Sequence, residues 1–250
     1  MIEAQDVTPR SRSLSALRSA LRSDASSVWL FAPDAAEALW LLPLVGTLVV
    51  AASRVDLGLF HLLTAEDRLL EWLQFAGFVA ATVFAALAAR LFARRGLKLV
   101  PSILLLLGIA CVFIAGEEIS WGQRIFGFDT PEELEELNKQ GETTVHNIGP
   151  ILIVFNFGMF CLGLYGSVVA GYLRTRFPKA QFRWRSDLLV PPLFLTSAFF
   201  VLFVYKGARM TFLPKNYTTN EMGEWAEFSL AFALATVTYL LWRVARPQRR

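Results

Sequence analysis

Residues 69–92 read LLEWLQFAGFVAATVFAALAARLF, and the only ionisable side chains in this stretch are Glu71 and Arg90, close to its two ends. About 20 consecutive, predominantly apolar residues are enough for a helix to cross the hydrocarbon core of a bilayer. An open strand could not do so, because its backbone N–H and C=O groups would have no hydrogen-bond partners in lipid. The stretch therefore predicts a transmembrane helix.

Five further stretches share this apolar character, at residues 35–52, 97–115, 148–173, 188–205 and 222–244. Of the 250 residues, 55% are hydrophobic and 18% are charged, whereas a soluble domain is nearer a quarter charged. We therefore predict an all-α polytopic membrane protein with six transmembrane helices within residues 35–244. A tail of residues 1–34 precedes this domain, and a basic tail of residues 245–250 follows it.

The basic residues are unevenly distributed. The two tails, the connection between spans two and three, and the connection between spans four and five carry 17 of the 24 Lys and Arg residues. The opposite side carries 15 of the 21 Asp and Glu residues. Because Lys and Arg are enriched in cytoplasmic loops, we predict that both termini are cytoplasmic. The basic residues flank spans and form no patch with base-stacking aromatics, so nucleic-acid binding is not expected.

The N-terminal tail contains a possible helix. Residues 13–22 read SLSALRSALR, with three leucines at helical spacing beside Arg18 and Arg22. This pattern is typical of an amphipathic helix that lies on the inner leaflet. The alternative is a solvated tail.

The stretch GEEISWGQRIFG at residues 116–127 ends the third span with two adjacent carboxylates, Glu117 and Glu118. Ionisable side chains at membrane depth are costly and usually face a cavity or a partner. If the helix continues, Glu117 shares a face with Arg124, and Glu118 shares the next face with Trp121. The alternative is an interfacial helix end, in which these side chains only anchor the span.

Residues 116–147 form a long predicted outer loop. Within the loop, Thr130, Pro131 and Glu133 fit a capping box, in which the N-cap hydroxyl and the third helical carboxylate satisfy each other's backbone N–H groups. This pattern predicts a short helix over residues 131–140, with its glutamates on a solvated face.

Both histidines and most acidic residues fall on the predicted outer side. We predict an acidic site there, with catalytic residues Glu117, Glu118, Glu142 and His146. The residues predicted to contact a substrate are Glu71, Trp121, Gln123, Arg124, Asn147, Lys206, Arg209 and Glu227. Among these, Arg124 and Arg209 would hold an anionic head group.

Three chemical uses of this site remain open. A divalent metal could bind Glu118, His146 and His61, although their spacing matches no standard metal motif. A metal-free acid/base site could pair either glutamate of the 117–118 pair with His146. A proton- or cation-coupled pathway could be lined by Glu227, Glu118 and Glu71.

A purely structural role is the fourth possibility. Glu117 or Glu118 could form buried ion pairs with Lys206 or Arg209 that hold the bundle together. The sequence contains no G-x-S-x-G, Walker, H-E-x-x-H or C-x-x-C motif that would favour a particular chemistry.

Two spans begin with similar sequences. Residues 71–75 read EWLQF and residues 224–228 read EWAEF, and an Arg follows nineteen positions after each first Glu, at Arg90 and Arg243. The similarity is either a remnant of duplication or convergence, since Trp belongs at an interface and Arg at a cytoplasmic end.

The run EEISWGQR at residues 117–124, with Thr130-Pro131-Glu132 and His146-Asn147 downstream, resembles a signature of uncharacterised bacterial multi-pass membrane proteins. The resemblance covers about 30 of the 250 residues. It implies a bacterial inner-membrane protein and transfers no activity.

Together, these patterns predict an enzyme or a binding protein that acts on a lipid-linked or envelope substrate at the outer leaflet. The alternatives are a small ion- or proton-coupled transporter and a non-catalytic membrane subunit or scaffold. The expected partners are the bilayer and a lipid head group or envelope precursor. The sequence identifies no particular protein partner, and the one cofactor it suggests is a divalent metal.

Overall fold

The computed structural model describes residues 9–65, 68–138, 143–145, 148–177 and 187–247, without the side chains of residues 9–13, Arg124 and Glu133. Across these ranges the chain is helical and contains no strand, which confirms the predicted all-α class. The helices are α1 (Pro9–Ser27), α2 (Pro33–Ser53), α3 (Leu57–Thr64), α4 (Leu69–Arg94), α5 (Leu99–Glu118), α6 (Gln123–Phe126), α7 (Glu132–Glu135), α8 (Gly149–Leu164), α9 (Ala170–Arg176), α10 (Thr196–Thr211) and α11 (Tyr217–Ala245).

Six segments of the described chain are long and apolar enough to cross a membrane, as predicted. They are Pro33–Ser53, Leu57–Arg94, Leu99–Glu118, Gly149–Arg176, Asp187–Thr211 and Tyr217–Ala245. The fourth segment joins α8 to α9 through a π-helical turn at Tyr165–Val169. The fifth begins with a 3₁₀ turn at Leu193–Leu195 that leads into α10.

The two helices with similar first residues, α4 and α11, pack along each other over most of their length, and α5 packs on the other side of α4. Small residues of α4 lie at both contacts: a Cβ on Gly77 would lie 3.0 Å from Cβ of Ala231 of α11, and a Cβ on Gly108 of α5 would lie 3.7 Å from Cβ of Ala85. Small residues let helix backbones approach closely, which favours helix association in lipid.

The bundle has two chemically different ends. We call the end where α5 stops and α4 and α11 begin the acidic end, and the opposite end the basic end. At the acidic end lie the long loop after α5 and the glutamates of α4, α5 and α11.

At the basic end, the predicted helix is present as α1, and its apolar residues pack on the bundle. Leu21 and Ala25 of α1 are buried against the core, as is Trp29, which follows the helix. Nε of Arg18 donates to Glu37 of α2 at 2.8 Å, and an exposed nitrogen of Arg22 pairs with Asp34 at 2.6 Å.

A buried ion pair joins α1 to the end of α9. Nε of Arg174 lies 3.8 Å from Asp24, and its guanidinium also donates to the backbone carbonyls of Asp187, Val190 and Pro191. Asp24 accepts the backbone N–H of Leu193 at 2.8 Å. Burial raises the pKa of Asp24, and the Arg174 charge and the Leu193 N–H partly oppose this shift.

Helices α8 and α10 meet at a glycine. A Cβ on Gly163 would lie 2.8 Å from the backbone nitrogen of Phe203 and 3.1 Å from the carbonyl oxygen of Phe199. We expect Gly163→Ala to lower the free energy of unfolding by about 1–3 kcal/mol, because two helix backbones must separate. The measurement is detergent thermal unfolding followed by tryptophan fluorescence.

The matched control is Gly158→Ala in the same helix, where an added Cβ would meet no atom within 4 Å. This change should be neutral or stabilising by up to about 1 kcal/mol, since alanine favours helix over glycine. Equal shifts of the unfolding temperature in the two variants would contradict the close approach at Gly163.

Candidate functional site

Helix α5 does not continue through the loop, contrary to one of the two predictions for this stretch. It ends at Glu118, and Ser120, Trp121 and Gly122 then adopt left-handed backbone conformations with φ of 47°, 54° and 89°. Left-handed φ is costly for residues other than glycine, and such strain persists only where the surroundings impose it. The chain therefore turns sharply directly after the two glutamates.

The turn is held by Glu117. Its carboxylate is buried, accepts the indole N–H of Trp121 and accepts the backbone N–H of Val145 at 2.8 Å. The Trp121 ring lies against Gly116, where a Cβ would come within 2.9 Å of ring atoms. Glu117 thus connects Val145, near the end of the loop, to the end of α5.

Gln123 also binds residues of the loop. Its Nε2 donates to the Thr130 hydroxyl at 2.8 Å, and its Oε1 accepts the backbone N–H of Thr143 at 2.8 Å. Thr130 is not the N-cap as predicted, because α7 begins at Glu132 after Pro131 and has no side-chain cap. Helix α7 is also shorter than the predicted 131–140, since it ends at Glu135.

Four glutamates converge at the acidic end. Glu118 at the end of α5 lies within electrostatic reach of Glu71 of α4 and of Glu224 and Glu227 of α11. We call these four residues the glutamate cluster. The sequence analysis had named three of them, and their meeting point depends on the packing of α4 between α5 and α11.

A buried lysine lies beside the cluster. Nζ of Lys206 on α10 donates to Oε1 of Glu227 at 2.7 Å and to Oδ1 of Asn156 on α8 at 2.6 Å. Lys206 is only 4% exposed, so this ammonium is held almost entirely by protein groups. The ion pair seen here uses Glu227, whereas the sequence analysis had considered Glu117 or Glu118 as the partner of Lys206.

Gln74 is a cluster neighbour that the sequence analysis missed. This fully buried side chain donates from Nε2 to Oε2 of Glu224 at 2.7 Å. Its Oε1 is buried and has no hydrogen-bond partner within the described part of the chain. The available signal was a polar residue inside a span, three positions after Glu71.

The bundle is closed below the cluster. Toward the basic end, the next residues of α4, α5 and α11 are Phe78, Ala115, Leu230 and Ala231, all buried in one apolar core. Among the long helices described, α4 is the one on which α5 packs extensively.

A separate apolar cavity of about 480 Å³ lies between α2, α10 and α11. Its lining includes Tyr205, Trp225 and Ala226, which are adjacent in sequence to Lys206, Glu224 and Glu227. Trp225 donates from its indole to Thr47 at 3.0 Å. None of the four glutamates of the cluster lines this cavity.

The other predicted site residues lie elsewhere or outside the described residues. Arg209 donates to the carbonyl of Pro214 at 3.0 Å and to Asn220 at 2.7 Å, so its guanidinium braces the connection to α11. The His61 ring stacks at a tilt with Tyr217, at 5.3 Å between ring centroids. Residues outside the described set are Glu142, His146, Asn147 and the side chain of Arg124.

No metal site is visible among the described residues, because no three His, Cys, Asp or Glu side chains there are placed to hold an ion. The predicted ligand set includes His146, which is not among them. Comparison with known proteins adds no assignment: no protein family, curated protein or solved structure matches the chain significantly.

Proposed function

We propose that this multi-pass membrane protein is an enzyme that uses the glutamate cluster to act on the polar head of a lipid-linked or envelope substrate. The observation that carries the proposal is the meeting of Glu118 with the carboxylates of α4 and α11 at membrane depth. Ionisable residues within spanning segments mark functional sites by default, since they are costly to bury.

The close approach of several carboxylates in the glutamate cluster favours acid/base chemistry. Several carboxylates that share a low-dielectric site cannot all be ionised, because like charges repel there. General base catalysis requires a carboxylate and general acid catalysis requires a carboxylic acid, and a site with several glutamates can supply either group. His146 and Glu142 stay predicted partners, and Val145, the neighbour of His146 in sequence, is bound to Glu117.

The remaining polar residues of the loop position the site in this proposal. Glu117 and Gln123 use their carboxylate and amide atoms to bind the loop, so they hold α5 and residues 143–145 together. We assign the acid/base role to Glu118 rather than Glu117 for this reason. The strained turn at residues 120–122 keeps the end of α5 beside the cluster.

An ion-coupled transporter is the less favoured alternative. Transport requires a polar route to the opposite face, and the layer containing Phe78 and Leu230 below the cluster is apolar and buried. A scaffold would need no convergence of acids from three helices. We therefore retain the enzyme as the proposal.

We also propose residence in a bacterial inner membrane with both termini in the cytoplasm and the acidic end outward. The support is the concentration of 17 of the 24 Lys and Arg residues toward the basic end, together with the EEISWGQR resemblance.

Glu118→Gln tests the enzymatic role. Removal of one general acid/base group lowers turnover by about 10²–10⁴-fold. Untargeted lipid mass spectrometry of membranes from expressing cells should therefore show a substrate that is consumed and a product that accumulates with the wild-type chain, and not with Glu118→Gln. Fluorescence-detected size exclusion would check that the variant inserts and folds.

The control is Glu136→Gln, at an exposed glutamate beyond α7. It should reproduce the wild-type lipid profile. Identical profiles for the wild type and Glu118→Gln would overturn the proposed enzyme.

A further inference from the structure

The apolar cavity between α2, α10 and α11 has the size of a ligand site. Its volume is about 480 Å³, and ligand pockets in proteins typically have volumes of about 300–1,000 Å³. Apart from Leu213, the described residues that line it belong to three of the spanning segments, Pro33–Ser53, Asp187–Thr211 and Tyr217–Ala245. The cavity therefore lies at membrane depth.

The polar groups of the lining are already bonded within the protein. Among the described lining residues, the side chains with a nitrogen or oxygen atom are Thr47, Tyr205 and Trp225. The Thr47 hydroxyl donates to the carbonyl of Pro43 at 2.8 Å and accepts the indole N–H of Trp225 at 3.0 Å. The Tyr205 hydroxyl donates to the carbonyl of Thr219 at 2.7 Å. Because a buried polar group without a partner is destabilising, this lining favours an apolar ligand.

One wall of the cavity is held in place by the packing of α2 on α11. A Cβ on Gly46 would overlap the ring of Trp225, so the indole lies directly against the backbone of α2 at this glycine. The hydrogen bond from the indole to Thr47, the next residue of α2, sets the orientation of the ring. The wall thus forms without a ligand, as is usual for binding pockets.

The rim of the cavity faces the bilayer. Leu48 on α2 and Phe200 and Val204 on α10 line the cavity and are 71%, 46% and 47% exposed. They lie inside spanning segments, so the medium that they contact is lipid hydrocarbon. Val50 and Ala226 also line the cavity, but they are only 4% and 1% exposed. The cavity therefore opens to the lipid between α2 and α10, and Val50 and Ala226 form its floor.

From these observations we propose that the cavity binds one hydrocarbon chain of a membrane lipid. Water does not fill such a cavity, because each buried water needs about two to four polar partners. A partner helix is about 10–12 Å across with its side chains, so this volume would hold only about one turn of it. A flexible chain can enter from the bilayer and supply the van der Waals contacts that the lining otherwise lacks.

The inference goes beyond the proposed enzyme and does not depend on it. None of the four glutamates of the cluster lines the cavity, and none of the cavity residues has a role in the proposed acid/base chemistry. The occupant is therefore a lipid chain of the surrounding bilayer, bound as part of the folded protein.

The test compares two phospholipid probes that carry a photoreactive diazirine, one in the middle of an acyl chain and the other on the head group. Each probe is mixed into phosphatidylcholine nanodiscs that contain the full-length protein, and the labelled residues are identified by peptide mass spectrometry after irradiation. We expect the acyl-chain probe to label Val50 and Ala226, and the head-group probe to leave both unlabelled. Leu106 of α5, which is 67% exposed, serves as the reference for ordinary contact with lipid.

A variant that fills the cavity should exclude the chain. Ala208→Phe places a ring in the cavity, and it should lower the labelling of the floor relative to Leu106 by at least about tenfold, which corresponds to a loss of about 1.4 kcal/mol of binding. The matched control is Ala86→Phe, at an exposed alanine of α4 that does not line the cavity, and it should leave the labelling unchanged. If Ala208→Phe does not fold, Val204→Trp at the rim provides the same test.

Two results would overturn the proposal. The first is labelling of the floor by the acyl-chain probe that is no stronger than labelling of Leu240, a fully buried residue of α11 that does not line the cavity. This result is also expected if a second copy of the protein covers the opening. The second is equal labelling of the floor by both probes, which would indicate a polar ligand. Glu118→Gln should label like the wild type, so this proposal and the enzyme can fail separately.

Discussion

Replacing Lys206 with methionine is expected to lower the free energy of unfolding by about 3–5 kcal/mol, because removal of one partner leaves a buried charge uncompensated. Lys206 is the ammonium that donates to Glu227 at 2.7 Å, and its charge also acts on Glu118. Methionine fills a similar volume, so loss of charge rather than loss of packing dominates. The measurement is chemical or thermal unfolding in a mild detergent at neutral pH.

Two variants isolate the charge effect. Lys215→Met removes an exposed lysine at the same end of the bundle and should change stability by less than about 0.5 kcal/mol. Lys206→Met combined with Glu227→Gln should recover much of the loss, because the orphaned carboxylate is then neutral. If the double variant is no more stable than Lys206→Met, the ion pair is not what stabilises this region.

The second large effect is predicted at the basic end. Arg174→Met should lower the free energy of unfolding by about 3–5 kcal/mol at pH 8, because it leaves the carboxyl group of Asp24 buried without its cation. The carbonyls of Pro191 and Val190 would also lose their donor. Asp24→Asn combined with Arg174→Met should restore a large part of the stability.

The pH dependence of Arg174→Met provides a further check. Burial raises the pKa of Asp24 in the folded protein above that in the unfolded chain, about 3.9. The folded state therefore holds the proton over a wider range, and stability falls as pH rises from the unfolded pKa through the folded one. Without Arg174 the folded pKa is higher still, because the cation that favoured ionisation is gone.

The loss caused by Arg174→Met should consequently be smaller at pH 5 than at pH 8. Protonated Asp24 needs no cation, and the carboxylic acid can still accept the N–H of Leu193. Unfolding curves of the wild type and the variant at both pH values measure this difference. A loss that is the same at both pH values would show that Asp24 is not the responsible group.

Part of the site was accessible to sequence reasoning. Glu71, Glu118 and Glu227 stood out because charged residues are rare at membrane depth, and the structure brings them together. Gln74 and Asn156 did not stand out, because an uncharged polar residue inside a span is common and its bonds depend on a distant helix. The sequence also did not show that Glu117 binds the loop while Glu118 joins the cluster. Adjacent residues on a helix point about 100° apart, so the two roles depend on how α5 is rotated in the bundle.

The left-handed turn after Glu118 shows a different limit. Gly122 is an ordinary signal for a positive φ, but Ser120 and Trp121 also adopt it, against their intrinsic preference. The contacts that impose this geometry come from Glu117 and from Val145, a residue 28 positions away from that glutamate. Local sequence rules predicted either that the helix continues or that it ends at the interface. Neither prediction included the long-range hydrogen bond between Val145 and Glu117.

By itself, the sequence determined the six apolar spans and the asymmetry of charge between the ends of the bundle. Each span must match the thickness of the bilayer independently of the other spans. Its length and hydropathy are therefore enough to locate it in the sequence. Only the tertiary structure decided which polar side chains meet: Gln74 with Glu224, Asn156 with Lys206 and Lys206 with Glu227. These contacts join different helices, and they depend on the rotation and depth of each helix in the bundle, which close packing between helices sets and local periodicity does not encode.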